Sequence, residues 1–244
     1  MSDTTTAILA AFVAPTGPAK LTPADFAAAA QLLGCRVSVI RAFAEKESPR
    51  SGFDADRRPT ILFERHVFRR NTGGMFDKVA PELSNPQPGG YGKESAQYPK
   101  LAKAVELNRI GALKACSWGR FQILGENHTL AGFLSVEDMV QAFVTGGEAA
   151  HLEAFVRFIR SQPRLHRAVV EGDAKTMARI YNGPNYAANS YDTDLAELIA
   201  KYDAEDVAAA KPVQADPPAG KPAKGKPQAV SSAPAVVADP PHAR

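Results

Sequence analysis

Apolar residues recur at helical spacing through most of the first 206 positions, and capping signals mark where the helices start and stop. Thr22-Pro23-Ala24-Asp25 opens the first clear helix, with Thr22 as cap and Pro23 at the first helical position. That helix is predicted to run to about Leu33 and to end at Gly34; a second runs from Val37 to about Glu47, ended by Pro49. In the second helix Val37, Ile40 and Ala44 form one stripe, and Glu47 falls on its continuation. Glu45 lies about 200° away and is expected on the exposed side. Residues 59–64, Pro-Thr-Ile-Leu-Phe-Glu, read as a strand because they are β-branched and aromatic. The polar, Gly- and Pro-rich stretch from Asn71 to Pro99 reads as a long surface excursion. Further helices are predicted over about 99–115, 120–127, 135–160 with Ser135 capping, 173–182 and 191–206. The fold class is α+β, mostly helical, with a small β element.

Charge changes this picture at the C-terminal end. The chain of 244 residues carries a net charge of +3, and residues 207–244 alone supply it through Lys211, Lys221, Lys224, Lys226 and Arg244 against Asp216 and Asp239. The body ahead of them is therefore neutral, which removes the electrostatic footprint of a nucleic-acid-binding domain. Residues 207–244 also hold eight prolines and no aromatic residue, so they are expected to form a disordered tail. Such a tail is either a plain solvated extension or weakly drawn to an anionic surface such as teichoic acids, anionic lipids or nucleic acids. Residues 1–21 read as a lead-in, and 22–206 as a single body without internal repeats. Met1 to Lys20 lacks a basic n-region, and Ile8 to Val13 is short for a signal core, so synthesis in the cytoplasm is expected. Mean hydropathy is −0.22, and no run of about 18 uncharged apolar residues is present.

Four clusters hold candidate chemistry. A carboxyl on an apolar stripe loses hydration of its charged form, so Glu47 suits a general acid working near neutral pH; a frayed, solvated helix-end glutamate fits the same position. Glu64 ends the predicted strand, either as a rigid carboxylate beside a cleft or in a buried ion pair with an arginine. In Ser117-Trp118-Gly119-Arg120-Phe121-Gln122-Ile123, a glycine between aromatics permits close approach of a ligand or of another backbone. Trp118 can stack on a sugar and Gln122 can bond amides or hydroxyls, or the segment is packing alone. Tyr181-Asn182-Gly183-Pro184 is a helix stop that presents Tyr181 and Tyr186, with or without a binding role.

Other chemistries find no support. Glu148 and His151 form one Glu-x-x-His where a di-metal bundle needs two, and no His-Glu-x-x-His occurs. The nucleophile elbow and the glycine-rich phosphate and dinucleotide loops are missing from the sequence. Cys35 and Cys116 exclude a disulfide framework and a multi-thiolate zinc site.

The order of these clusters carries more information than any one of them. Ala44-Glu45-Lys46-Glu47-Ser48, then Ser117 to Ile123, then Tyr181-Asn182-Gly183-Pro184 resembles the goose-type lysozyme and soluble lytic transglycosylase superfamily. Gly52-Phe53, Arg58-Pro59, Ile61-Leu62-Phe63-Glu64-Arg65-His66 and Tyr181 to Asp192 are more closely similar to the N-acetylmuramidase family of phage endolysins and related bacterial proteins. The resemblance spans roughly residues 22–203 and departs from the pattern at Pro49-Arg50, where small residues usually follow Glu-Ser.

The resemblance implies a lysozyme-like fold and a peptidoglycan hydrolase that cleaves between N-acetylmuramic acid and N-acetylglucosamine. It makes Glu47 the catalytic acid and Glu64 the candidate second carboxylate, with Asp54 and Asp56 in reserve. Ser117, Trp118, Gln122, Tyr181 and Asn182 become substrate-binding residues. The implied partner is the peptidoglycan glycan strand, met by a monomer without metal or cofactor, without nucleic acid and without stable membrane insertion. A lytic transglycosylase and a non-catalytic wall-binding or phage structural protein remain as alternatives.

Overall fold

The computed structural model describes residues 3–184 and 186–210. In chain order these form α1 (Asp3–Ala10), α2 (Pro23–Leu33), α3 (Val37–Glu47), β1 (Ile61–Phe63) and α4 (Arg65–Asn71). They continue with α5 (Gln97–Leu107), α6 (Arg109–Lys114), β2 (Cys116–Trp118), β3 (Ile123–Leu124) and α7 (Val136–Arg160). The last three are α8 (Pro163–Glu171), α9 (Ala174–Tyr181) and α10 (Tyr191–Ala210). The architecture is mostly helical around one small antiparallel sheet of order β1-β2-β3.

Local chemistry accounts for the helix ends. Thr22 and Asp25 form a reciprocal capping box on α2, and Gly34 closes it at φ 67°, a left-handed position that glycine adopts without strain. α3 spans the residues its periodicity predicts, with Val39, Ile40, Ala42, Phe43 and Ala44 fully buried. Glu45, expected on the exposed side, is instead partly covered by α10, whose Tyr202 and Lys201 bond it. Where one helix was expected over 99–115, Asn108 takes an extended conformation and caps α6 by accepting from the Gly111 N–H at 2.7 Å. Of the helix expected over 120–127 only a 3₁₀ turn over Gly125–Asn127 forms, and β3 takes the residues before it. Gly119 and Gln122 take positive φ, forming the turn between β2 and β3. α1, α4 and α8 arise in segments for which the sequence predicts no helix, although α8 carries Pro163 at its start and Gly172 at its end.

The strand register separates core from surface. Ile61 pairs with Trp118, Phe63 with Cys116 and Trp118 with Ile123, and all five side chains are buried. Leu62, Ser117 and Leu124 alternate with them and form a half-buried row on the opposite face.

Both ends of the expected body move. α10 runs to Ala210, four residues past the expected boundary at 206, and the rest of the predicted tail lies outside the described residues. The lead-in is structural: Phe12, 1% exposed, packs with its ring centroid 5.9 Å from Tyr98 and 5.8 Å from Trp118. No single helix among the described residues is long and apolar enough to cross a membrane.

Removing a buried aromatic ring leaves a cavity that costs about 3–5 kcal/mol. Phe12→Ala is therefore expected to lower unfolding stability by that amount in denaturant titration. A loss under about 1 kcal/mol would mean that the N-terminal segment is not docked.

Candidate active site

A cleft runs past the C-terminal end of α3 in two lobes. The larger, about 740 Å³, is lined by Ser48 to Ser51, Asp54, Thr60, Glu94 and Gln97 among others. The smaller, about 400 Å³, is lined by Glu64, His66, Ser117, Asn127, Tyr181 and Asn182 among others. Glu47, Leu62 and Gln122 line both lobes, so Glu47 sits at the junction.

Glu47 has the environment its helical phase predicts. Burial raises its pKa to about 7, against the lowering effects of a hydrogen bond from Tyr191 and of the Lys46 charge. Tyr191, the first residue of α10, donates its hydroxyl to Glu47 Oε1. Sequence reasoning missed this residue: it lies inside the Tyr181–Asp192 stretch, but nothing in its spacing singles it out. Burial, and after it the charge of nearby Glu47, raises the pKa of the Tyr181 phenol, yet its hydroxyl donates to the Phe121 carbonyl at 2.5 Å.

Glu64 occupies the N-cap position of α4 without bonding that helix, and it lines the smaller lobe with its Oε2 buried. Burial raises its pKa; a hydrogen bond from Tyr91 and the proximity of His66 oppose the rise. His66 Nδ1 stands 3.4 Å from Glu64 Oε2, and no arginine pairs with Glu64 among the described residues. Tyr91 comes from the excursion after α4, which is anchored rather than loose. Arg65 bonds the Gln87 and Pro88 carbonyls there, and the Gln97 amide holds those of Tyr91 and Lys93. Asp54 lines the larger lobe, but its carboxylate takes the Arg58 side chain and the Asp56 and Arg58 amides. Asp56 is exposed and also pairs with Arg58.

The binding candidates divide. Ser117 is half-buried and lines the smaller lobe with Asn182, which is exposed at the end of α9. Gln122 adopts a strained φ of 46° and donates its amide to the Thr60 and Gly119 carbonyls, at 3.2 and 2.9 Å. Both partners accept only, so the amide nitrogen must point at them and Oε1 keeps free acceptor capacity. Trp118 is a correction. It is fully buried, and its indole N–H donates to the Leu113 carbonyl at 2.9 Å, so it cannot stack on a sugar. Adjacent strand residues face opposite sides, and with Ser117 toward the cleft Trp118 must face the core.

A buried polar framework holds the walls from behind. Glu148 accepts from the Gly52 N–H at 2.7 Å, the Ser51 hydroxyl at 3.1 Å and the Leu21 N–H at 3.2 Å. His151 Nδ1 accepts from the Arg120 N–H at 3.1 Å, which makes Nε2 the donor to the Phe143 carbonyl at 3.2 Å. Burial lowers the His151 pKa to about 3, so its ring stays neutral. The Arg120 guanidinium bonds the Ser48 carbonyl just after Glu47. Gly119 allows close approach as expected, and what approaches is the His151 ring: a Cβ there would lie 2.6 Å from Nδ1. No group of three or more metal-ligating side chains occurs among the described residues.

No curated protein matches the chain. The crystal structure of the Burkholderia AP3 phage endolysin is similar, with a TM-score of 0.68 and 38% identity over 78% of this chain and 74% of that one. Residues 36–203 match the model of the N-acetylmuramidase family. The match takes in both carboxylates and the cleft between them, and the chain belongs to the N-acetylmuramidase family.

Proposed function

We propose that the chain cleaves the β-1,4 bond between N-acetylmuramic acid and N-acetylglucosamine by general acid catalysis from Glu47. Family membership makes it a peptidoglycan hydrolase acting on the cell wall. The observation that carries the finer reading is a half-buried carboxyl at the junction of two open lobes, where loss of solvent raises its pKa to about 7.

A glycan laid through both lobes brings its scissile oxygen to Glu47. The protonated carboxyl gives its proton to that oxygen as the bond to the muramic carbon breaks, and positive charge builds on the muramic ring. Glu64, in the same lobe as Glu47, assists the attacking water, and its loss of solvent keeps its proton affinity high enough for a base. Asp54 and Asp56 fit that role less well, being held by Arg58. Ser117, Gln122 Oε1 and Asn182 offer polar contacts to the sugar, and Tyr181 shapes the wall.

Mass spectrometry of products from purified peptidoglycan tests the reaction. Wild type is expected to release reducing muropeptides ending in N-acetylmuramic acid, and Glu47→Gln to lose roughly 10²–10⁴-fold in rate while still binding. Products lighter by one water would indicate attack by the muramic 6-hydroxyl, a transglycosylase without need of Glu64. Equal cleavage by both proteins would remove Glu47 from the mechanism.

Stability supplies a second prediction. The folded-state pKa of Glu47, about 7, exceeds its ordinary value of 4.5, so the folded protein holds this proton more tightly than the unfolded chain does. Stability is then lost as pH rises from 4.5 through 7, on the order of 3 kcal/mol from this group. Glu47→Gln is expected to melt higher than wild type at pH 8 and to converge with it near pH 4. A gap that does not change with pH would contradict the raised pKa.

A further inference from the structure

Tyr181 is the tyrosine that the sequence singles out for the cleft, but another tyrosine bonds the acid. Tyr191, 4% exposed, donates to Glu47 Oε1, while Tyr181 is engaged with the Phe121 carbonyl and packs against Phe43 and Phe158. Among the described residues, Tyr191 is the side chain that bonds a Glu47 oxygen.

We propose that Tyr191 is a positioning residue for the proton transfer: by occupying Oε1 of Glu47, it leaves Oε2 as the oxygen that carries the proton. This rests on the reading of Glu47 as general acid. A protonated carboxyl has one O–H, and the oxygen already accepting a hydrogen bond is the one best left as acceptor. When the proton passes from Oε2 to the glycosidic oxygen, the C–O electron pair leaves with the departing sugar and Glu47 becomes a carboxylate. Tyr191 keeps its own proton throughout. Its bond to Glu47 changes from one to a neutral acid into one to an anion, which is roughly twice as strong. The contact therefore favours the state after transfer over the state before it, as transition-state stabilisation requires.

The surroundings make this contact rigid. α10 is fastened along α3 by Arg36 to Asp203, Arg41 to Glu205 and Asp206, and Lys46 to Asp194 at 2.5 Å. The Lys46 ammonium stands 5.2 Å from the centroid of the Tyr191 ring. The groups that act on Glu47 are Tyr191 from α10 and Lys46 on its own helix with Asp194 against it, and Tyr181 from α9 feels its charge. Glu64, His66 and Arg70 share the smaller lobe with Glu47, and Arg50, Asp54 and Glu94 the larger. Tyr202 provides an internal control, since it donates a hydroxyl to Glu45 between the same two helices.

The test is carboxyl NMR titration of the full chain labelled with ¹³C-glutamate, the Glu47 signal being assigned by its loss in Glu47→Gln. Tyr191→Phe is expected to raise the Glu47 pKa by about one unit, and to lower kcat about tenfold with KM unchanged. Tyr202→Phe is expected to do neither. Fluorotyrosine labelling acidifies the phenol without deleting it and is expected to lower the Glu47 pKa, a readout that does not depend on the folding of a variant. A Glu47 titration unmoved by Tyr191→Phe in an active enzyme, or moved equally by Tyr202→Phe, overturns the proposal alone. A wild type without glycosidase activity overturns the general-acid reading beneath it.

Discussion

Glu148 and His151, three residues apart on α7, hold together the segments that make the cleft. Glu148 takes the Leu21, Ser51 and Gly52 donors, and His151 takes the Arg120 amide, whose side chain returns to the Ser48 carbonyl. Each of these polar groups would cost about 1–3 kcal/mol if left buried and unpaired, so the segments on either side of Glu47 cannot drift independently. The framework depends on a break in α7. Gly147, at φ 65° and ψ −163°, interrupts the helical ladder and lets the Phe143 carbonyl meet a side chain eight residues further on.

The same arrangement sets the electrostatics. α3 is covered by α2 and by Phe155 of α7 on the core face and by α10 outside, so its last turn carries Glu47 into a place where a charge is poorly solvated. Tyr191 and Lys46 recover part of that loss and bring the carboxyl near neutrality rather than far above it. Glu45, two residues earlier, meets Tyr202 and Lys201 nearer solvent, and these partners lower its pKa. Two glutamates on one helix thus separate into an acid and an anion through what covers them.

Much of this was legible in the chain and some of it was not. The span of α3, the capping box of α2 and the phase of Glu47 follow from local rules, because periodicity and capping act within a few residues. The sequence does not tell the cleft-facing Ser117 from the core-facing Trp118, because a strand of three residues leaves no periodic trace from which to read alternation. Gly119 showed that something comes close, but its partner lies 32 positions on, beyond the reach of local pattern. Tyr191 meets Glu47 across 144 residues, and only the packing of α10 on α3 brings them together. The lead-in reads as separate from the body because its apolar run from Ile8 to Val13 is short, and only its packing against Tyr98 and Trp118 makes Phe12 core.

The central claim, that a desolvated Glu47 delivers the proton, is tested most directly by the pH dependence of kcat/KM on a defined peptidoglycan fragment. The account predicts a bell whose alkaline side falls through about pH 7, where Glu47 loses its proton, and whose acid side falls where the raised Glu64 gains one. An activity still undiminished at pH 9 would contradict it, since Glu47 would by then be ionised and unable to act as the acid.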